Sequence, residues 1–579
     1  MRAMVAALVI AGASTSIDRA QARPAPAHTF RVGAAVESIN PTYPVYLGGY
    51  GGGPPGGTIE RHVNPLTGRA EDLTVRAMAI DDGSRVVELA SVDSQGWFAG
   101  YEEGPYGISD VRTAAAAFLR AHGAPGAVPG DIIVSSLHEH AVPTVYGIYG
   151  PPVHQRPYLE QLAAATTRAL EEAYERRIPA TLSWGSADAP WLGGGDIPEG
   201  NEFEGWRRDG SLLALWARDA RTRTTIATYV SEPAYPNLVY GQADLVGTPR
   251  TLISGDFPGY AEALLEQRLG GIAILASGSL ANQASPMQAD IAASPDLPAV
   301  AGHAQTRGFD DVIQMASAVA SVTFGALARA VPMTHVVVGG AEQYVVAPVT
   351  DAASIGLAVD NEIDNGAVFS FTTYWGTDRA VTPPYSYGAA LGTWVTALRI
   401  GDVAVLSEPG EFFGSIREAW AGGIGAAGVF VVGAAQDFLG YVYPLYVLPF
   451  TNLGGDEFVF GPAPTLGDQV VVAGDQAARQ LGFAVDPTAT AESTATEQDY
   501  SRVAHAGAYL LPSAIDGDLD RSTGAFAPTF VAAGSPPRAS TICTNPALLL
   551  GPPPGCTIPE PPISAFQWQF GDGSGGSTP

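Results

Sequence analysis

The segment His138-Glu139-His140 follows an apolar stretch, Asp131–Ser136, that reads as a strand. Side chains two apart on a strand leave the same face, so two imidazoles would project together from the strand end. Strand ends are where open α/β sheets carry their sites. Imidazole nitrogen is a favoured zinc donor, and catalytic zinc keeps about three protein ligands plus a water. The spacing alone fits a pair of polar residues at a strand terminus equally well. Three further segments carry reactive side chains. Glu408-Pro409-Gly410-Glu411 follows the apolar strand Val403–Leu406. An acid at a strand-to-helix turn is either a ligand or a helix cap favoured by the dipole, and taken alone the cap is the simpler reading. Ser285-Pro286 follows the strand Ile272–Ala276 and a polar turn, and Ser-Pro by itself marks a turn. Asp437-Phe438-Leu439-Gly440-Tyr441 follows the strand Val429–Val432, where a lone Tyr is ordinarily a packing residue. The chain contains no GxSxG elbow, no HExxH and no phosphate loop with its Lys.

These segments need a scaffold. Strands are expected at about 73–81 and 86–93, and a helix at Ser109–His122 with Gly123 as its stop. A second helix is expected from about Arg156 to Arg176, with Leu159, Leu162, Ala163 and Leu170 near helical spacing. Asp256-Phe257-Pro258 opens another, with a cap-type Asp and a first-turn Pro. Strands return at 334–347, 394–407 and 429–433. Alternation of this kind predicts an α/β protein: a large mixed-sheet catalytic domain over about residues 30–490. Residues 484–500 read as a linker or exposed loop. The region 491–579 reads as a small β-rich or irregular C-terminal tail.

Composition narrows the partners. The 579 residues carry 58 Asp and Glu against 30 basic residues, a net charge of −28, and every basic residue is Arg. Nucleic acid is excluded as the main partner, because phosphate binding needs a basic footprint. Electrostatic docking on an anionic membrane is disfavoured for the same reason. Residues 1–22 read as an export signal: Arg2, the apolar stretch Val5–Ala13, then small-residue cleavage patterns ending at Ala13 and Ala22. No later segment is long and apolar enough to span a bilayer; the nearest, Ile313–Pro332, is broken by Gln314 and Arg329. A secreted, soluble protein is expected. Cys543 and Cys556, the only two cysteines, are expected to pair in such a compartment.

Taken in order, the segments resemble the neutral/alkaline non-lysosomal ceramidase family, from about Phe30 to Gly482. The resemblance rests on YLGGY at Tyr46–Tyr50, the Arg76-containing strand VRAMAIDDG, SSLHEHAVP, ISGDFPGY, ILASGSLANQASP, ALRIGDVAVLSEPGEFF and QDFLGYVYP. It implies a single zinc ion held by two His, one Glu and one Tyr. Carried over by position, His138, Glu411 and Tyr441 are ligands, His140 lines the pocket, and Ser285 stands by the scissile amide. The family's second zinc His falls on Glu232, in IATYVSEPAYP, and the Gly and Asp before the serine become Asn282 and Gln283. With Glu232 in the ligand set, another divalent ion becomes possible. The implied activity is metal-dependent hydrolysis of the N-acyl bond of ceramide or a related lipid amide. A non-catalytic relative binding lipid or glycan, or an esterase or amidase with another acyl substrate, uses the same fold. The sequence leaves the oligomeric state open.

Overall fold

The computed structural model describes residues 29–48, 57–64, 68–101, 104–145, 152–189, 209–239, 252–281, 309–349, 374–375, 389–444, 461 and 466–486, with four two- to four-residue strands between 519 and 578. Residues 1–22, Ser285, residues 359–373 and both cysteines lie outside the described residues.

Nine strands form the first sheet: β1 (Phe30–Ser38), β2 (Thr74–Asp81), β3 (Val86–Val92), β4 (Ile132–Ser136), β5 (Ile178–Asp188), β6 (Ser211–Asp219), β7 (Thr225–Glu232), β8 (Ile272–Ser277) and β9 (Val331–Pro332). Their order is β8-β7-β6-β5-β1-β2-β3-β4, with β9 alongside β5. The pairs β7/β8 and β3/β4 are parallel and the remaining pairs antiparallel. The chain continues through β10 (Val338–Val349), β11 (Tyr374–Trp375), β12 (Ala389–Ile400), β13 (Val403–Ser407), β14 (Glu411–Phe412), β15 (Gly428–Val432) and β16 (Tyr441–Val442). Of these, β10-β12-β13-β15 make a second sheet, with β11 beside β12, while β14 and β16 pair only with each other.

The strands are apolar on both faces because both faces are covered. In β2, Met78 and Ile80 enter one core while Val75, Ala77 and Ala79 enter another. In β15, Phe430 and Val432 face the first of these cores, and Val429 and Val431 face a third. The shared core, with Val32, Leu89 and Ile133 from the first sheet and Leu398, Val405 and Phe430 from the second, lies between the two sheets. The sheets therefore pack face to face, each with helices outside. α1 (Ile108–Ala121) and α2 (Pro152–Glu175) cover one half of the first sheet. α3 (Asp256–Leu269) and α4 (Phe309–Ala328) cover its other half. α5 (Gly414–Gly423) and α6 (Leu466–Gln480) cover the second sheet. α2 approaches β1 so closely that a Cβ on Gly33 would sit 2.2 Å from the Ala173 carbonyl oxygen.

Most expected elements fall within a few residues of their place, with three physical differences. The span 394–407, expected as one strand, is two antiparallel strands, β12 and β13, reversing at Gly401 with φ 60°. α1 begins at Ile108, one residue before the expected start, after Gly107, whose N–H donates to the carboxylate of Asp110 at the third helical position. Asp256 lies inside α3 at a positive φ of 46°, and its carboxylate accepts from Val239 N at 2.7 Å and Phe257 N at 2.6 Å. The apolar stretch proposed as the nearest thing to a span is largely α4, packed on α3. Among the described residues no helix is long and apolar enough to cross a membrane.

Candidate metal centre

Strand ends from both sheets converge where β4, β7, β13 and β15 finish. Ser231 Oγ donates to the Val431 carbonyl at 2.7 Å, tying β7 to β15. Gln436 N donates to Val134 O, tying the loop after β15 to β4. β4 stops at Ser136, so His138 and His140 lie just beyond the strand rather than on it. His138 takes a left-handed backbone, φ 65°, a conformation rare for a residue with a Cβ. Its N–H is held by Ser94 O at 2.9 Å. The two imidazoles still converge, with Nε2 atoms 3.3 Å apart and rings nearly perpendicular at 84°. Convergence thus comes from a strained turn, where strand alternation had been the expected cause.

The His138 ring is fixed on several sides. It stacks on Phe438 at 5.2 Å between centroids and meets Tyr235 edge-on at 5.1 Å. Nδ1 lies 2.6 Å from the Gln95 carbonyl oxygen. A carbonyl only accepts, so Nδ1 carries the proton and the Nε2 lone pair of the neutral ring faces the cleft. Metal-bound histidines are held in this way through the other ring nitrogen.

Glu411 arrives on the short strand β14, just past the end of β13. Its N–H donates to the Gly440 carbonyl at 2.8 Å, and β14 pairs with β16 so that Glu411 and Tyr441 stand in register. Gly410 permits this approach: a Cβ there would lie 2.2 Å from Gly440 O. The helix-cap reading of this segment does not hold, because the residue capping α5 is Phe413. Glu411 Oε2 is 3.4 Å from His138 Nε2.

Between them stands a residue that the sequence did not single out. The Tyr235 hydroxyl lies 2.8 Å from His138 Nε2 and donates to Glu411 Oε2 at 2.9 Å. Tyr235 sits three residues beyond Glu232, at the end of a turn that begins as β7 finishes. Glu232 itself is fully buried, and its Oε2 accepts from Ala234 N at 2.8 Å. Its other oxygen has no hydrogen-bond partner. Burial pushes its carboxyl up to about 8, partly offset by the Ala234 N–H, so near neutral pH it is mostly a neutral acid. A tyrosine three residues past a strand-end acid, with Pro233 between, was the available signal.

The geometry brings together His138, His140, Glu411 and Tyr235, sets Tyr441 beside Glu411 through the backbone, and leaves the Glu232 carboxyl on its own turn. Ser285 lies outside the described residues. Among the described residues no three His, Cys, Asp or Glu side chains are arranged to hold an ion unaided. With Tyr235 included, the donors fit one. Bonds of about 2.0–2.2 Å to a common tetrahedral ion place ligand atoms roughly 3.3–3.6 Å apart, a little wider than the hydrogen-bonded contacts of Tyr235. The observed separations around His138 Nε2 run from 2.8 to 3.4 Å. The protons do not suffice without a cation. Tyr235 has one hydrogen for two acceptors, and His138 Nε2 has one lone pair facing both Tyr235 and His140. A positive charge, either an extra proton or a metal ion, resolves the set.

The surroundings are acidic. Glu139 lies on the far side of the same turn; its Oε1 is 3.5 Å, and Asp93 Oδ2 3.8 Å, from the position a Cβ would take on Gly255. Burial, reinforced by Asp93, Asp256, Glu262 and Glu71, holds the Glu139 carboxyl well above the usual range. Burial also raises Glu408, and Glu411 adds to that effect.

No family model and no curated protein matches the sequence. Solved structures do match the fold. The crystal structure of neutral ceramidase from Pseudomonas aeruginosa superposes with a TM-score of 0.52 at 16% identity, covering 78% of this chain and 75% of that one. A ceramidase complexed with C2 superposes at 0.53 and 16% identity, covering 79% and 76%. The chain has the neutral ceramidase fold. At this identity the ceramidase-like architecture is shared, whereas the site is this chain's own: Glu232 ends β7, Tyr235 follows it, and Glu139 separates the two histidines.

Proposed function

We propose that the protein is a secreted, metal-dependent amide hydrolase, a divergent relative of neutral ceramidase that cleaves the N-acyl bond of ceramide or a related N-acyl lipid. The observation that supports this most strongly is the convergence of His138, His140 and Glu411 in a ceramidase-like fold, with the His138 proton fixed on Nδ1 by Gln95. His138 and Glu411 hold the ion, with Tyr441 in register beside Glu411. Zinc is the first candidate. A bound ion of this kind supplies a Lewis acid for the amide carbonyl and lowers the pKa of its water.

The chain's own residues do the rest. Gln95 and Phe438 hold the His138 imidazole in one tautomer and one orientation. His140, with Nε2 beside that of His138, is placed to hydrogen-bond the developing oxyanion, a role the family resemblance also gives to Ser285. The products are a fatty acid and a free amine.

The test is metal analysis of the purified protein together with hydrolysis of a fluorescent ceramide. One equivalent of metal and chelator-sensitive turnover are expected. A metal-free protein that leaves ceramide and other N-acyl lipids intact would refute the proposal and favour a binding protein on the same fold.

A further inference from the structure

We propose that Tyr235 is a metal ligand, taking through its phenol oxygen the place that the ceramidase family gives to a second histidine. The proposal rests on the metal-hydrolase reading of the same centre and adds to it a donor that the family pattern does not contain.

Three observations carry it. The first is position. Tyr235 Oη lies 2.8 Å from His138 Nε2 and 2.9 Å from Glu411 Oε2, and those two atoms are 3.4 Å apart. The three donors form one compact face of the kind a small divalent ion occupies. The second is the path of the chain. β7 ends at Glu232, the residue on which the family histidine falls, yet that side chain turns back to accept the Ala234 N–H. The turn ends by delivering residue 235 to the centre, and Tyr235 O in turn accepts from Asn237 N at 3.0 Å. The third is the hydrogen count. Tyr235 has one proton to serve both His138 and Glu411, so one of those two contacts joins lone pairs unless an extra proton or a metal ion enters. An ion in place of that proton satisfies all three atoms at once, and one proton leaves to solvent as it binds.

The exchange alters the chemistry. A phenol oxygen in place of an imidazole makes the donor set harder and more anionic. Such a set tolerates oxygen-preferring ions better than a two-histidine site does. It also weakens the ion's pull on its bound water. Glu232 then acts as a positioning residue, shaping the turn that presents Tyr235.

The test uses the full chain, with zinc and ferric iron as probes. Zinc affinity is measured by competition with a chromophoric chelator in the parent, Tyr235→Phe, Tyr441→Phe and His138→Ala. Loss of a hydrogen bond behind a ligand costs about 10–100-fold in affinity. Tyr235→Phe should exceed that range and approach His138→Ala. The ferric form should show a visible phenolate-to-iron charge-transfer band that persists in Tyr441→Phe and disappears in Tyr235→Phe. Parent-like zinc affinity in Tyr235→Phe, or a band that follows Tyr441 alone, would overturn the assignment and leave the metal-hydrolase reading standing. A parent that binds neither ion would overturn both. Circular dichroism of Tyr235→Phe separates ligand loss from misfolding, since the substitution removes one oxygen and leaves the ring packed against His138.

Discussion

Nδ1 of His138 lies 2.6 Å from the carbonyl oxygen of Gln95, and this contact leaves the Nε2 lone pair to the cleft. The ring is held there at a backbone φ of 65°. Strain of this sort persists where surrounding contacts over-determine it. Asn tolerates the left-handed region better than other non-glycine residues. His138→Asn should therefore stay within about 2 kcal/mol of the parent in stability. It should nevertheless lose at least about a hundredfold in metal affinity and hydrolysis. Thermal unfolding and metal content, measured together, check the prediction. Parent-like metal content would remove His138 from the ligand set.

Gly410 gives a second prediction. Its absent Cβ makes room for Gly440 O, and that approach seats Glu411 beside Tyr441. Gly410→Ala must push β14 away from β16. A cost of about 1–3 kcal/mol is expected, as for overpacking elsewhere. The same shift should withdraw Glu411 from His138 and lower metal affinity by more than the stability loss explains. An alanine variant with normal affinity would show that the close approach is incidental.

The sequence made some of this legible and hid the rest, for physical reasons. The short apolar stretches at β2 and β15 announce strands, because a strand covered on both faces is apolar throughout. Nothing local says that β10 and β12 belong to a second sheet stacked on the first, since strand pairing and sheet stacking are non-local. His138, His140 and Glu411 were found because their types are scarce and their positions ordered. Tyr235 was missed because attention fell on Glu232, the residue in register with the family pattern. A backbone turn of three residues brings Tyr235, and not the Glu232 carboxyl, to His138 and Glu411. The capping expectation for Glu411 failed because a short strand, β14, precedes the helix.

Arg76 crosses from β2 to α3, where its Nε is 2.6 Å from Glu262 Oε2 and its Nη1 meets Glu266 at 2.5 Å. Glu262 is almost fully enclosed. Burial raises its carboxyl, while Arg76 opposes the rise. Arg76→Met leaves Glu262 without its cation. Breaking such a buried pair costs about 3–5 kcal/mol when the remaining charge cannot neutralise. At low pH Glu262 takes up a proton, so the deficit should be smaller at pH 5 than at pH 8.5. Adding Glu262→Gln should recover much of the loss at the higher pH. Equal deficits at both pH values would mean that packing of the Arg76 stem, and not charge, is what the variant loses.

Glu232 offers a pH test with a definite sign. Its carboxyl is raised from 4.5 to about 8 in the folded chain, chiefly by burial. The folded state therefore binds this proton more tightly than the unfolded state does. The stabilisation is complete below the unfolded value and is progressively lost as pH rises toward the folded one. Glu232→Gln keeps the shape and a carbonyl oxygen for the Ala234 N–H but has no proton to lose. Near pH 4.5 the variant and the parent should be similarly stable. By pH 8.5 the variant should be the more stable, by a few kcal/mol at most, since one pKa unit corresponds to about 1.4 kcal/mol. Urea unfolding of both proteins across that interval measures the gap. If the gap stays constant, Glu232 does not titrate over this range, and a cation or an ordered donor must hold its carboxylate charged at the end of β7.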